Sequence, residues 1–244
     1  MRKVINWIKA IILTVKEKIF MQAGLKIIND WQAETLGNRA VSALQKNGFG
    51  AEYASSIKDA TKKILELVPN NASVGFGGSL TIMSTGINPA LAKKGCTIYS
   101  HNAGKDREES IKLGKLESTA DVFLTSTNAL TLDGKLVNTD SRGNRVAAMM
   151  HGPGKVIVVV GYNKIVANID DAFKRIEQVV APRLAKSIAM RAPEVGADQN
   201  PCLKTGTCVN CNSPGRICNV TTILHKKPSD TDIHVIVVGE TVGF

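Results

Sequence analysis

Residues Val156–Val160 are five consecutive β-branched aliphatic side chains, bounded by Lys155 and Gly161. A strand with one face in water alternates apolar and polar residues. A run without alternation must be covered on both faces, which is the situation of a central strand in a parallel sheet between two helical layers. His234–Val238 repeats the pattern near the end of the chain. Between and before these runs the periodicity is helical. Residues 22–47 place Ile28, Trp31, Leu36, Ala40 and Leu44 on one stripe and close at Asn47-Gly48, and residues 56–68 begin after Ser55 and stop before Pro69. Short strands are expected at 49–54, 72–76, 97–100 and 121–125, with helices at 105–117 and 169–185. Residues 129–138 read as a hairpin turning on Asp133-Gly134. Strands alternating with helices predict an α/β fold, a mostly parallel sheet flanked by helices, in one domain over 21–244.

The chain has 244 residues, of which 43% are hydrophobic and 21% charged, a balance that suits a packed globular domain. No apolar run approaches the roughly 20 residues that span a bilayer. The formal net charge is +10, and residues 1–20 carry +4 of it through Arg2, Lys3, Lys9, Lys16 and Lys18 against Glu17. The remaining excess is spread along the chain without an aromatic-and-basic RNA motif or a helix-turn-helix pattern. It therefore points to small anions rather than nucleic acid. Residues 1–20 form an amphipathic pattern (Val4, Ile8, Ile11, Val15, Ile19) with interleaved lysines. Three readings stand: a helix lying on a membrane surface, a partner-binding helix, or an extension upstream of a start at Met21. Without a secretion signal, a cytoplasmic, reducing location is expected.

Val74-Gly75-Phe76-Gly77-Gly78-Ser79-Leu80-Thr81 joins a short buried strand to a helix start. Glycines allow a backbone to approach a ligand closely, and a helix start offers unpaired N–H groups, so Gly75, Gly77, Gly78, Ser79 and Thr81 are candidates to hold a phosphate or carboxylate. The alternative is a plain strand-to-helix turn with Ser79 as its cap. A second polar stretch, Asn138-Thr139-Asp140-Ser141-Arg142-Gly143-Asn144-Arg145, follows the hairpin. Here Asp140 is a candidate general base or hydroxyl ligand, Arg142 and Arg145 are candidate anion clamps, and Asn138 and Asn144 are candidate ligand-binding residues; the alternative is a solvated turn with Asp140 or Asn144 capping a helix. The segments Gly161-Tyr162-Asn163-Lys164 and Gly239-Glu240-Thr241-Val242-Gly243-Phe244 follow two buried strands. Loops at the carboxyl ends of parallel strands are where ligands bind, which adds Asn163 and Lys164 as ligands and Glu240 as a candidate acid or base. The four histidines show no metal spacing among themselves.

Cys202, Cys208, Cys211 and Cys218 fall within one loop, with the two-residue gap of a metal knuckle between Cys208 and Cys211. Four thiolates so close can hold a structural zinc ion or an iron–sulfur cluster. A Cys202–Cys218 disulfide or four free thiols are the alternatives.

Taken in order, the motifs Val74–Thr81, Asp121–Thr125, Thr127-Asn128-Ala129-Leu130-Thr131, Asn138–Ala147, Val159–Gly161 with Asn163–Ile165, Cys208–Cys211 and Gly239–Phe244 resemble the LUD, or lactate-utilisation domain, family over roughly 25–244. The resemblance implies a fold like that of ribose-5-phosphate isomerase, glucosamine-6-phosphate deaminase and the CoA transferases. It also implies a part in oxidation of lactate to pyruvate beside iron–sulfur oxidoreductase partners. Thr127–Asn144 is more faintly similar to the sugar-phosphate loop of methylthioribose-1-phosphate isomerase. Asn128 stands where that loop has an aspartate and Thr139 where it has a lysine, so its acid–base chemistry is not available here.

The expectation is thus a subunit or accessory factor of lactate oxidation that binds a small anion at the glycine-rich loop, with Asn128 orienting the ligand. The alternatives are a ligand-binding or sensing module with a vestigial isomerase-like pocket, and a free-standing enzyme acting on a sugar phosphate or CoA ester.

Overall fold

The computed structural model describes residues 2–244, and side chains from residue 20 onward. Ten strands occur in chain order: β1 (Gly50–Ala54), β2 (Ser73–Phe76), β3 (Thr97–Tyr99), β4 (Val122–Thr125), β5 (Ala129–Thr131), β6 (Leu136–Asp140), β7 (Lys155–Gly161), β8 (Ile165–Val166), β9 (Val220–Leu224) and β10 (Asp232–Val238). Six of them form one sheet in the order β1-β10-β7-β4-β2-β3, every neighbouring pair parallel. The other four form a small mixed sheet in the order β8-β5-β6-β9. The mostly parallel sheet flanked by helices is the architecture expected from the sequence.

The unbroken aliphatic run sits at the centre of the main sheet and is buried on both faces. Val156, Val158 and Val160 point into one core, shared with Ala40, Val41 and Leu44 of the first helix, α1 (Arg2–Lys46). Ile157 and Val159 point into the other, shared with Ala60 and Ile64 of α2 (Ile57–Leu67), Ile82 of α3 (Leu80–Met83) and Leu91 of α4 (Asn88–Lys93). β10 divides in the same way, with Val235 and Val237 on one side and Ile236 and Val238 on the other. A period of two places alternate side chains on opposite faces, so a run without polar residues feeds two cores at once.

α1 is continuous across the boundary expected at residue 20. Its packing stripe is shorter than the periodicity suggested. Ala33, Ala40, Val41 and Leu44 are buried, but Ile28 and Trp31 are 58% and 65% exposed, because the amino-terminal part of the helix extends past the sheet. The amphipathic face expected on residues 1–19 lies outside the described side chains. Among the described residues no helix is long and apolar enough to cross a membrane.

The Asp133-Gly134 turn closes the β5–β6 hairpin, with Gly134 at φ 82° and its N–H donating to the Thr131 carbonyl at 2.9 Å. α5 (Arg107–Glu117) precedes β4 and packs against β2, and α6 (Asn144–Met150) follows β6. The helix expected at 169–185 runs further: α7 (Ile169–Arg175) passes through a π-helical turn at Ile176–Val180 into α8 (Ala181–Arg191). Pro182 has no N–H to donate, and the wider turn just before it absorbs that loss without ending the helix. A last short helix, α9 (Cys202–Thr205), opens the cysteine segment.

Candidate functional site

β2, β4, β7 and β10 are adjacent in the main sheet, so the segments leaving their carboxyl ends share one rim. Side-chain contacts show that these segments meet. After β2, Gly77 passes so close to the neighbouring loops that a Cβ there would lie 2.9 Å from the Thr125 hydroxyl and 3.2 Å from Arg145 Cγ. After β10, a Cβ on Gly243 would lie 2.4 Å from Thr81 Oγ1 and 3.2 Å from Lys164 Nζ. Gly243 also has φ 66°, a backbone conformation that suits glycine. The Val242 N–H donates to Asn163 Oδ1 at 3.3 Å, tying the carboxyl terminus to the loop after β7.

Lys164 stands at the centre of this junction and is only 4% exposed. Its ammonium donates to Thr81 Oγ1 at 2.8 Å and to Ser126 Oγ at 3.0 Å. Among the described residues it forms no ion pair. An ammonium has three donors, so one remains beyond the two hydroxyls. Burial, and then the positive charges of Arg175 and Arg145, bring its pKa down to about 7. Arg175 itself is lowered to about 10 by burial and then by Arg183. Its Nε donates to the Asn163 carbonyl at 3.3 Å, while its buried Nη1 has no partner among the described residues. The junction therefore concentrates positive charge and unfilled donors in a dry place, which is what an anion requires.

Asp140 and Arg145 face each other rather than an open site. Arg145 Nε and Nη2 both donate to Asp140 Oδ1, at 2.9 and 2.6 Å, and Asp140 Oδ2 accepts from the Val146 N–H at 3.1 Å. The remaining guanidinium hydrogens reach the Ser126 carbonyl (2.9 Å), Asn138 Oδ1 (2.6 Å), Asn128 Oδ1 (3.3 Å) and the Thr139 carbonyl (3.3 Å). Asn128 also accepts from the Thr139 N–H at 2.7 Å, and its own N–H donates to Asn138 Oδ1 at 3.2 Å. This network fixes the end of the hairpin and positions Ser126, which connects it to Lys164. Asn138 Nδ2 is left buried and unpaired beside it.

Other residues picked out by the sequence lie elsewhere. Gly75 is within β2, where its missing side chain admits the backbone of Glu117 on α5. Ser79 caps α3, its hydroxyl accepting from the Ile82 N–H at 3.4 Å, and α3 has only four residues, too few to build a useful helix dipole. Glu240 is exposed and accepts from the Ile57 N–H at 3.0 Å, which makes it a cap on α2. Arg142 is exposed, and Asn144 begins α6 after Gly143 at φ 81°.

Four residues at the rim had no motif to mark them. Ser126 and Arg175 are described above. The other two, His101 and Glu117, form a pair. Glu117 is 1% exposed and accepts from the His101 Nδ1 at 2.8 Å and from the His101 backbone N–H. This orients the imidazole against Gly78, whose φ is 65° and whose Cβ would lie 3.2 Å from His101 Cε1.

The four loop cysteines line one hollow together with Ala181, Asn200, Val209, Arg216 and Ile217. A second hollow, lined by Asn128, Thr139, Ile176, Val180, Leu184 and again Ala181, Ile217 and Cys218, adjoins it. All four thiols are free, and among the described residues no group of three or more His, Cys, Asp or Glu side chains is placed to hold a metal ion. Burial, followed by the neighbouring thiols, raises the pKa of Cys202.

The model of the LUD domain family matches residues 37–238. Among solved structures, the chain is similar to a DUF162 family protein from Deinococcus radiodurans, with 15% identity and a TM-score of 0.46 over 84% of this chain and 98% of that one. It is also similar to a D-ribose-5-phosphate isomerase in complex with phospho-erythronic acid, with 15% identity and a TM-score of 0.31 over 55% of this chain and 65% of that one. No curated protein matches significantly.

Proposed function

Since the chain belongs to the LUD domain family, associated with lactate utilisation, we propose that it is a subunit or accessory factor in the oxidation of lactate to pyruvate, and that it binds a small carboxylate or phosphate at the Lys164 junction. The observation that carries the binding reading is a buried ammonium held by two hydroxyls with, among the described residues, no carboxylate to neutralise it. An isolated buried cation is costly unless something compensates it, and a bound anion is the simplest compensation. Lys164 would supply the charge and its third N–H, held in place by the Thr81 and Ser126 oxygens, whose own hydrogens go to the Val242 and Thr127 carbonyls, and Arg175 Nη1 would take a second oxygen. Gly243 contributes by letting the carboxyl terminus pass directly against Thr81 and Lys164.

The two carboxylates first considered for acid–base work are engaged elsewhere, Asp140 on Arg145 and Glu240 on the start of α2. This favours a binding role over a free-standing sugar-phosphate or CoA-ester enzyme. It also sustains a second reading, in which the chain senses the anion without turning it over.

Deleting the gene and growing cells on lactate as sole carbon source tests the proposal. Growth is expected to fail, to return with the wild-type chain and not to return with Lys164→Met. Growth that is indifferent to the deletion would remove the lactate role. Co-purification from lactate-grown cells separates the two readings: a stable oxidoreductase partner supports the subunit role, and anion binding by a chain that purifies alone supports the sensor.

A further inference from the structure

We propose that Cys202, Cys208, Cys211 and Cys218 bind one metal centre through four thiolates, a zinc ion or an iron–sulfur cluster, in the hollow they line beside the Asn128–Thr139 loop. All four side chains face the same small space although they come from a short helix and an irregular loop. The segment from Pro193 to Asn219 contains no strand and only short helical turns, and its small core consists of buried Ala185, Cys202 and Ile217 with Leu184, Ile188, Leu203 and Cys218 partly buried against them, and Ala197 buried nearby. So little apolar surface does not order a segment of that length, and small units of this kind rely on a metal or disulfide staple.

The local backbone is already arranged as a ligand loop. Asn210 has φ 49°, a left-handed backbone conformation within Cys208-Val209-Asn210-Cys211, and its N–H donates to Cys208 Sγ, 3.4 Å away. An N–H aimed at sulfur is better suited to a metal-bound thiolate than to a thiol, because it stabilises negative charge on sulfur. Arg216 bridges the loop: Nη1 donates to Asn210 Oδ1 at 3.1 Å and to the Cys211 carbonyl, and Nε donates to the Cys218 carbonyl at 3.0 Å. Its guanidinium places positive charge next to a centre that would be anionic with four thiolates. The loop is anchored from outside as well, by the Cys208 N–H on the Glu177 carbonyl at 2.8 Å and by Asn200 Nδ2 on the Gly215 carbonyl at 2.8 Å. The thiols do not already form a metal-ready group, so binding one centre draws them closer together than they stand here. Cys218, Ile217 and Ala181 line both this hollow and the one beside Asn128 and Thr139, so the centre would form part of the wall of the second hollow.

The test is metal analysis of the full chain purified without oxygen, then loaded in parallel with zinc and with ferrous iron plus sulfide. The proposal expects about one centre per chain, either one zinc or a cluster with visible thiolate-to-iron absorption. The content should fall at least about tenfold in Cys208→Ser and Cys218→Ser but persist in Cys96→Ser, whose thiol lies apart against the Pro69 carbonyl. If the loop variants fail to fold, the wild-type chain still decides through thiol counting, since four cysteines should be shielded from alkylation when loaded and released by a chelator. A wild-type chain that retains neither metal, or a Cys202–Cys218 disulfide in the anaerobic protein, would overturn the proposal.

Discussion

The ammonium of Lys164 lies 2.8 Å from the hydroxyl of Thr81, two residues separated by more than eighty positions in the chain and joined only by the folding of β2, β7 and the carboxyl terminus. Thr81 is itself buried and donates to the Val242 carbonyl at 3.4 Å, so the lysine is held by a hydroxyl that is already fixed. Among the described residues no carboxylate pairs with this cation, and a buried cation left without one costs stability.

That cost should be measurable as a dependence on pH. The folded chain holds the Lys164 proton with a pKa of about 7, against the usual lysine value of 10.5 in the unfolded chain. Between these values the unfolded state binds the extra proton, so stability from this group rises with pH and its penalty is greatest below 7. Lys164→Met should therefore raise the melting temperature most at pH 6, and the gain should shrink as the pH approaches 10. Calorimetry across that range checks it.

Gly243→Ala should separate anion binding from the fold. The added methyl would meet Thr81 Oγ1 at 2.4 Å and approach Lys164 Nζ to 3.2 Å, at a backbone φ of 66°. A stability loss of about 1–2 kcal/mol is expected from the strained backbone. Loss of anion binding should be much larger, at least about tenfold, as the lysine is displaced. Urea unfolding and titration with pyruvate measure the two effects independently.

The Asp140–Arg145 pair has side chains only 9% and 12% exposed. Removing one partner leaves a mostly buried charge alone, which costs about 3 kcal/mol. Arg145→Met should thus destabilise the chain by roughly that amount in urea. Asp140→Asn should cost less, because an amide oxygen can still accept from the Val146 N–H.

Glu240→Gln should lower the melting temperature by only about 2 °C, as expected for weakening one helix-end contact. It should leave anion affinity unchanged, since the carboxylate points at the Ile57 N–H and not at Lys164. A drop in affinity as large as that of Lys164→Met would return Glu240 to the site.

The fold was legible where local chemistry decides it. Val156–Val160 declared a strand buried on two faces, and Asp133-Gly134 declared its hairpin. β9 was missed because Val220-Thr221-Thr222-Ile223-Leu224 is a half-exposed strand that pairs with β6 alone, and nothing local requires that partner. Ile28 and Trp31 were read as core because periodicity reveals which face a helix can bury, not how far the sheet extends beneath it. The rim was legible as a set of loops following strands, since every one of them follows a recognisable strand. The roles within it were not. Whether Asp140 faces a ligand or Arg145 depends on a rotamer, and the burial of Lys164 depends on Gly243 and Thr81 arriving from distant parts of the chain. His101 and Glu117, sixteen positions apart, gave no signal until the end of α5 brought them together.

The account rests on Lys164 being a neutral-range cation that receives an anion, and titration of its side-chain nitrogen by NMR measures this directly. One lysine, missing from Lys164→Met, should titrate near pH 7 in the free chain and shift upward when pyruvate, lactate or inorganic phosphate is added. A Lys164 that titrates with the ordinary lysines, or one that stays near 7 whatever anion is supplied, would contradict it.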